Sequence, residues 1–201
     1  PYPEKENPVL HKHLSRIRLQ HVDTMHIFIG MGSCGIIAGA KKLKERISKH
    51  IETHNINVKI TDVGCIGLCS EEPIIDIQIP GRTRISFSKV SEESVSEIID
   101  AISNNFLPEA NILGQYENER LLDWEDVPYI NNHSFLKPQN KILTQNCGII
   151  NPNQIDDAIA NKAYTGFIKA ITSFTSKEVC QLVLDAKLRG RSGSAYLTGR
   201  K

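Results

Sequence analysis

The sequence predicts an α/β fold with the element order β-α-β-β-β-α over residues 24–105, and three observations carry that prediction. Short apolar runs rich in β-formers recur at residues 25–29, 58–60, 74–79 and 84–87. Between the first two lies a stretch in which Ile36, Ile37, Leu43, Ile47 and Ile51 share one helical face. After the fourth run, Ser91 precedes Val95, Ile98, Ile99 and Ile102 at helical spacing.

Each element has its own signal. The first run ends in Gly30-Met-Gly-Ser-Cys34, whose glycines predict a loop. Lys41, Lys42, Lys44, Glu45 and Lys49 then supply the polar side of one amphipathic helix over 36–52. Gly64-Cys-Ile-Gly-Leu-Cys69 predicts a second loop, and Pro80-Gly81 a turn that folds the third and fourth runs into a hairpin. A strand–helix–strand pair, a hairpin and a closing helix together match thioredoxin-like topology.

The flanks read differently. In residues 1–23, Leu10, Leu14 and Ile17 predict a short amphipathic helical leader. Residues 106–150 hold Pro108, Pro128 and Pro138 with little periodicity, which predicts an extended linker wrapping over other surfaces, with the rings of Trp124 and Tyr129 as anchors. Residues 151–201 read as the mainly helical start of a further domain. Asn151-Pro152-x-Gln154 and Thr175-x-x-Glu178 have the residues of two helix starts. The second helix is expected to turn Val179, Leu182, Val183 and Ala186 inward.

Composition narrows the function classes. The 201 residues are 40% apolar and carry a net charge of +1, which disfavours disorder. No run approaches the ~18 apolar residues that span a bilayer, so no membrane span is expected. The charge is segregated: residues 91–151 carry 10 acidic against 3 basic side chains, whereas 152–201 carry 8 basic against 4 acidic. With 6% aromatic residues and no long basic face, nucleic acid is not an expected partner. Five cysteines, an odd number without a secretory signal, argue for a reducing, cytoplasmic setting. A start at Pro1 predicts that the chain is a piece of something longer.

Cys34, Cys65 and Cys69 all fall in predicted loops at strand ends. The C-x3-C spacing with Gly67 between lets two thiolates enter one pocket, and thiolates select iron–sulfur clusters or zinc. Buried small hydrophobes are the plain alternative for any cysteine. The arrangement resembles the thioredoxin-like 2Fe-2S ferredoxins, in which two cysteines separated by four residues follow the first strand and C-x3-C comes later. Here Cys65-Ile-Gly-Leu-Cys69-Ser-Glu-Glu-Pro73 is intact, and Ile29 stands where the family has its first cysteine. The resemblance implies a 2Fe-2S cluster on Cys34, Cys65 and Cys69 with its fourth ligand missing at Ile29. Ser33, water or a partner residue then substitutes, or the domain has become a cluster-less docking module.

The end of the chain adds a second constellation. Arg189-Gly-Arg-Ser-Gly-Ser-Ala-Tyr-Leu-Thr-Gly-Arg-Lys201 combines glycines with four basic side chains, the elements of a phosphate site, although such a stretch also suits a solvated terminus. It resembles the glycine-rich flavin loop of the NADH-binding subunit family of complex I, NAD-linked and bifurcating hydrogenases and formate dehydrogenases. Arg189, Gly190, Arg191, Gly193, Thr198, Gly199 and Lys201 match that loop; Ser192, Ser194, Ala195, Tyr196 and Leu197 depart from it. Asn146-Cys-Gly-Ile-Ile-Asn-Pro152 and Thr175-x-x-Glu178-Val179 are similar to the approach to the loop in the hydrogenase-type branch.

This resemblance covers residues ~24–201 but only the opening part of the family protein. It implies FMN binding at Gly190, Arg191, Gly193 and Lys201. It further implies NADH as reductant of the complete protein and other subunits of a redox complex as partners, with electrons relayed between FMN and iron–sulfur centres. The family's acidic NADH segment and later four-cysteine motif would lie beyond Lys201, so the chain is not expected to turn over NADH alone. Cys147 and Cys180 read as structural and His26 as packing. Glu71-Glu72, Glu92-Glu93 and Asp156-Asp157 read as solvated faces, and no catalytic pair stands out.

Overall fold

The computed structural model describes residues 7–20 and 22–201; residues 1–6 and His21 of the expected leader lie outside the described residues. The chain forms two compact units, one ending at Asn161 and the other spanning Lys162–Lys201. In the first unit the elements run α1 (Pro8–Ile17), β1 (Met25–Gly30), α2 (Ser33–Ala38), α3 (Ala40–His54), β2 (Val58–Val63), β3 (Ile75–Gln78), β4 (Ile85–Phe87), α4 (Val95–Ser103), β5 (Ile112–Gln115) and α5 (Ile155–Ala160). The sheet order is β2-β1-β3-β4-β5. β1 and β2 are parallel, and every other neighbouring pair is antiparallel. This is the predicted thioredoxin-like arrangement with one strand added at the edge.

Three expectations need correction. The single helix over 36–52 is two helices, because Gly39 adopts φ +109, a left-handed conformation that ends α2 and starts α3 on a new axis. Ile36 and Ile37 therefore leave the expected inner face, and Ile37 is 85% exposed. The stretch 106–150 is more than a linker, since it supplies β5. The start at Asn151 is a turn: its side-chain carbonyl accepts from the Asn153 N–H, and α5 begins only at Ile155.

Strand alternation builds a sheet buried on both faces. Ile27, Ile29, Ile75, Ile77, Ile85 and Phe87 point to one side, where Leu43 and Ile47 of α3 and Val95, Ile99 and Ile102 of α4 complete the main core. Polar ties fix these helices. Lys44 of α3 holds Asp62 of β2 at 2.7 Å, and His50 of α3 meets Asp100 of α4 at 2.8 Å.

The opposite face carries Phe28, Asp76, Gln78 and Ser86, all buried because the chain after β4 folds over them. Leu68 and Ile74 pack there with Ile130 and Leu136. The Gln115 side chain organises the crossing. Its amide oxygen accepts from the Trp124 N–H (2.8 Å) and the Thr83 hydroxyl (2.6 Å), and its amide nitrogen donates to the Trp124 and Val127 carbonyls. Trp124 is buried as expected and donates its ring N–H to Thr83, whereas Tyr129 is only half-buried.

At the centre of this face Arg84 donates to Asp76 from Nε (2.8 Å) and Nη2, and from Nη2 to the Gly148 carbonyl at 2.6 Å. Its guanidinium lies 3.6 Å from the Phe28 ring centroid and 4.7 Å from that of Tyr116, whose hydroxyl donates to Asp76 at 3.3 Å. Five parts of the chain thus meet at one buried ion pair.

In the second unit, α6 (Thr165–Ser173) leads to α7 (Ser176–Asp185). The predicted start at Thr175 holds: Thr175 and Glu178 cap each other reciprocally. No residue of either helix is buried. Leu182, expected inward, is 50% exposed, as is much of Phe167 and Ile171. Cys180 and Cys147, read as structural, are exposed.

Two outcomes follow from the second face. Arg84→Ala leaves the Asp76 carboxylate buried and unpaired, and is expected to lower unfolding free energy by roughly 3–5 kcal/mol in urea titrations. A loss under about 1 kcal/mol would show that the pair is dispensable. His26 stacks on Phe28 and hydrogen-bonds Thr61 at 2.6 Å. Burial, with Arg84 and then Lys59 adding positive charge, lowers its pKa from 6.5 to about 4. The unfolded chain therefore binds this proton first, so the contribution of neutral His26 is complete above about pH 6.5 and drains away between about 6.5 and 4. Urea midpoints of wild type and His26→Gln should thus diverge in pH slope across that window, and parallel slopes would reject the assignment.

Candidate metal centre

Because β1 and β2 run parallel, with Gly30 opposite Val63, the segments that follow both strands emerge at the same end of the sheet. After β1 the chain turns through Met31-Gly32 into α2, and Cys34 lies in the first turn of that helix rather than in a loop. After β2 it runs irregularly through Cys65 to a 3-10 turn over Cys69–Glu71, so only Cys65 is a loop residue as expected. Gly32 permits the two segments to touch, since a Cβ there would stand 3.0 Å from Cys65 Cβ.

The three sulfurs converge. Cys34, Cys65 and Cys69 Sγ all lie within 4.8 Å of one another, with Cys65 and Cys69 3.8 Å apart. Cys65 Sγ also accepts the Gly67 N–H at 3.2 Å. Cys34 and Cys65 are partly buried and Cys69 is exposed. Burial raises the Cys34 thiol, as do the nearby Cys69 and Glu72, and burial pushes Cys65 up to about 12 despite the Gly67 hydrogen bond. Three thiolates this close repel, so the group sheds its protons when a cation takes up the charge. The donor set fits a soft metal centre of the iron–sulfur or zinc kind.

The position that the resemblance assigned to a missing ligand is elsewhere. Ile29 is fully buried in the main core on the helix-covered face, and Ser33 is exposed. The residue that sequence reasoning missed is Glu72, read there as solvated. Its side chain is buried, with 8% of the residue exposed. Oε1 lies 3.6 Å from Cys34 Sγ, and Oε2 accepts the Ile74 N–H at 2.9 Å. Burial raises its pKa, with nearby Asp76 adding to the shift. Gly30 and Gly35 form its cradle: Cβ atoms there would stand 3.0 Å and 3.1 Å from Glu72 Oε2. The available signal was two glycines five residues apart after a strand, together with an acid three residues past Cys69.

The proposed flavin-loop residues belong to the second unit. Arg189 and Leu197 pair as a short hairpin, in which the Gly190 amide is engaged by the Tyr196 carbonyl at 2.9 Å. Gly193, with φ +75, turns the hairpin, while Arg191 and Lys201 are exposed. Gly199 packs on α7, where a Cβ would meet Leu184 at 2.7 Å. Among the described residues, no helix is long and apolar enough to cross a membrane.

No family model matches the chain. It is 48% identical over 65 residues to the NADP-reducing hydrogenase subunit HndC of Solidesulfovibrio fructosivorans, over 32% of this chain and 13% of that protein. It is 26% identical over 74 residues to subunit HndB of the same organism, over 36% of this chain and 59% of that protein. The chain thus spans less than two thirds of either relative. Among solved structures, a thioredoxin-like 2Fe-2S ferredoxin from Aquifex aeolicus aligns over 50% of this chain and all of its own, at 16% identity and a TM-score of 0.41. A wild-type structure of the Aquifex aeolicus thioredoxin-like 2Fe-2S ferredoxin aligns over 45% of this chain and 97% of its own, at 17% identity and 0.39.

The cradle makes a prediction. A Cβ on residue 35 would stand 2.1 Å from the Gly30 carbonyl oxygen, a contact that no side-chain rotation relieves. Gly35→Ala is expected to destabilise the metal-free protein by about 2 kcal/mol or more in thermal unfolding. An unchanged midpoint would show that β1 and α2 do not meet this closely.

Proposed function

We propose that residues 24–105 are an iron–sulfur electron-carrying domain in which Cys34, Cys65 and Cys69 hold a 2Fe-2S cluster. The observation that carries this reading is the convergence of three sulfurs from the ends of two parallel strands. The likeness to HndC and HndB, both named as subunits of an NADP-reducing hydrogenase, supports a place among the subunits of a larger redox complex. Five free thiols suit a reducing, cytoplasmic setting.

In this reading residues 106–150, which also lend β5 to the sheet, lead to the beginning of an FMN- and NADH-binding domain over 151–201, of which Lys162–Lys201 form the separate compact unit. Gly190, Arg191, Gly193 and Lys201 supply part of its phosphate contacts. A bound 2Fe-2S cluster supplies one-electron chemistry. The chain's own residues do the rest. Cys34 and Cys65 keep one side of the group out of water, exposed Cys69 leaves the other within reach of a donor or acceptor, and the Gly67 N–H stabilises negative charge on Cys65. The second reading is a cluster-less docking module, which the burial of Ile29 away from the sulfurs favours.

The test is anaerobic expression of the 201-residue chain, followed by iron, zinc and acid-labile sulfide analysis, visible spectra and EPR. The cluster reading expects about two irons and two sulfides per chain and a brown colour that dithionite bleaches. Less than about 0.2 iron per chain overturns it, in favour of docking for a colourless, metal-free protein or of a structural site for one holding zinc.

A further inference from the structure

We infer that Glu72 is the fourth protein ligand of the metal centre on Cys34, Cys65 and Cys69, an assignment that rests on the cluster reading above. A 2Fe-2S cluster takes four terminal ligands, and the protein can supply some of them from residues other than cysteine. The described residues bring three thiols together, and Glu72 Oε1 lies 3.6 Å from one of them, Cys34 Sγ.

A buried carboxylate is costly unless a cation or several donors compensate it. Among the described residues no lysine or arginine forms an ion pair with Glu72, and Arg84 is paired with Asp76. One oxygen has a single backbone donor, the Ile74 N–H. The other accepts from the Cys34 thiol at 3.6 Å. A cap for one amide does not require a second oxygen directed at a thiol.

The backbone is also shaped for this group. Gly30 and Gly35 lack the Cβ atoms that would fill the space beside Oε2. Phe28, Gly30, Gly64, Ile66, Glu72 and Asp76 line a cavity of about 10 Å³, too small for more than one water. Glu72 therefore meets Cys34 from the buried side, while Cys69 is exposed. A carboxylate is a harder ligand than a thiolate and suits ferric iron, so the iron it binds should differ from its neighbour.

The experiment compares the full chain with Glu72→Gln and Glu72→Cys, each loaded anaerobically with iron and sulfide. Mössbauer spectra of the oxidised wild type should resolve two inequivalent irons, and Glu72→Cys should bring them close to equivalence with stronger sulfur-to-iron absorption. Glu72→Gln should release iron to a chelator at least about tenfold faster than wild type, while its metal-free form keeps the wild-type circular dichroism and thermal midpoint. If Glu72→Gln does not fold, the wild-type and Glu72→Cys Mössbauer spectra decide alone. Equivalent irons in the wild type, or wild-type spectra and release rate in a folded Glu72→Gln, overturn the ligand assignment while leaving the cluster reading standing. A wild type that binds no iron overturns both, and is recognised without any variant.

Discussion

The Asp76–Arg84 ion pair is the constraint around which the sheet's second face is arranged. Removing two charges from water is unfavourable unless nearly every donor and acceptor finds a partner. Arg84 is partnered by Asp76, the Gly148 carbonyl and the rings of Phe28 and Tyr116, and Asp76 Oδ1 is the buried atom of the pair left without a hydrogen bond. Those partners come from β1, β3, the residue after β5 and the far end of the acidic segment. The pair therefore explains why residues without periodicity lie in a defined course over the sheet. It also fixes the local charge balance, because the buried Arg84 guanidinium is committed to Asp76.

The cysteine group depends on two cheaper devices. Parallel pairing of β1 with β2 delivers two chain segments to one end of the sheet, and small residues then let them close. Gly32 meets Cys65, and Gly35 meets the Gly30 carbonyl. Without those contacts the sulfurs would belong to the same edge of the fold without sharing a pocket. Topology sets the neighbourhood, and the missing side chains set the distance.

Much of the first unit is legible from residues 24–105 because alternation on strands and spacing on helices are local signals. Ile27, Ile29, Ile75 and Ile77 declare a buried face without reference to anything distant. The errors arise where the deciding interaction is non-local or stereochemical. Gly39 does not interrupt the apolar pattern over 36–52, yet its left-handed backbone divides the helix. β5 is short, contains a glycine, and exists because β4 offers an open edge. The three cysteines are legible as chemistry, but Glu72 resembles half of a solvated acidic pair, and its burial depends on glycines some 40 residues earlier. In the second unit the reciprocal cap at Thr175 and Glu178 is a local signal and is found, whereas inward-facing residues of α7 need a covering surface that its sequence does not specify.

The spacing of the sulfurs along the chain has a consequence for rigidity. Cys65 and Cys69 are near neighbours, so joining them restrains little, whereas Cys34 is separated from Cys65 by most of α2, by α3 and by β2. A metal centre shared between them closes a loop of about 30 residues, and in the chain-entropy picture such a cross-link removes roughly 3–4 kcal/mol of freedom from the unfolded chain. The same thiols that are proposed to hold the cluster would thus act as a staple on the crossover that joins the parallel strands β1 and β2.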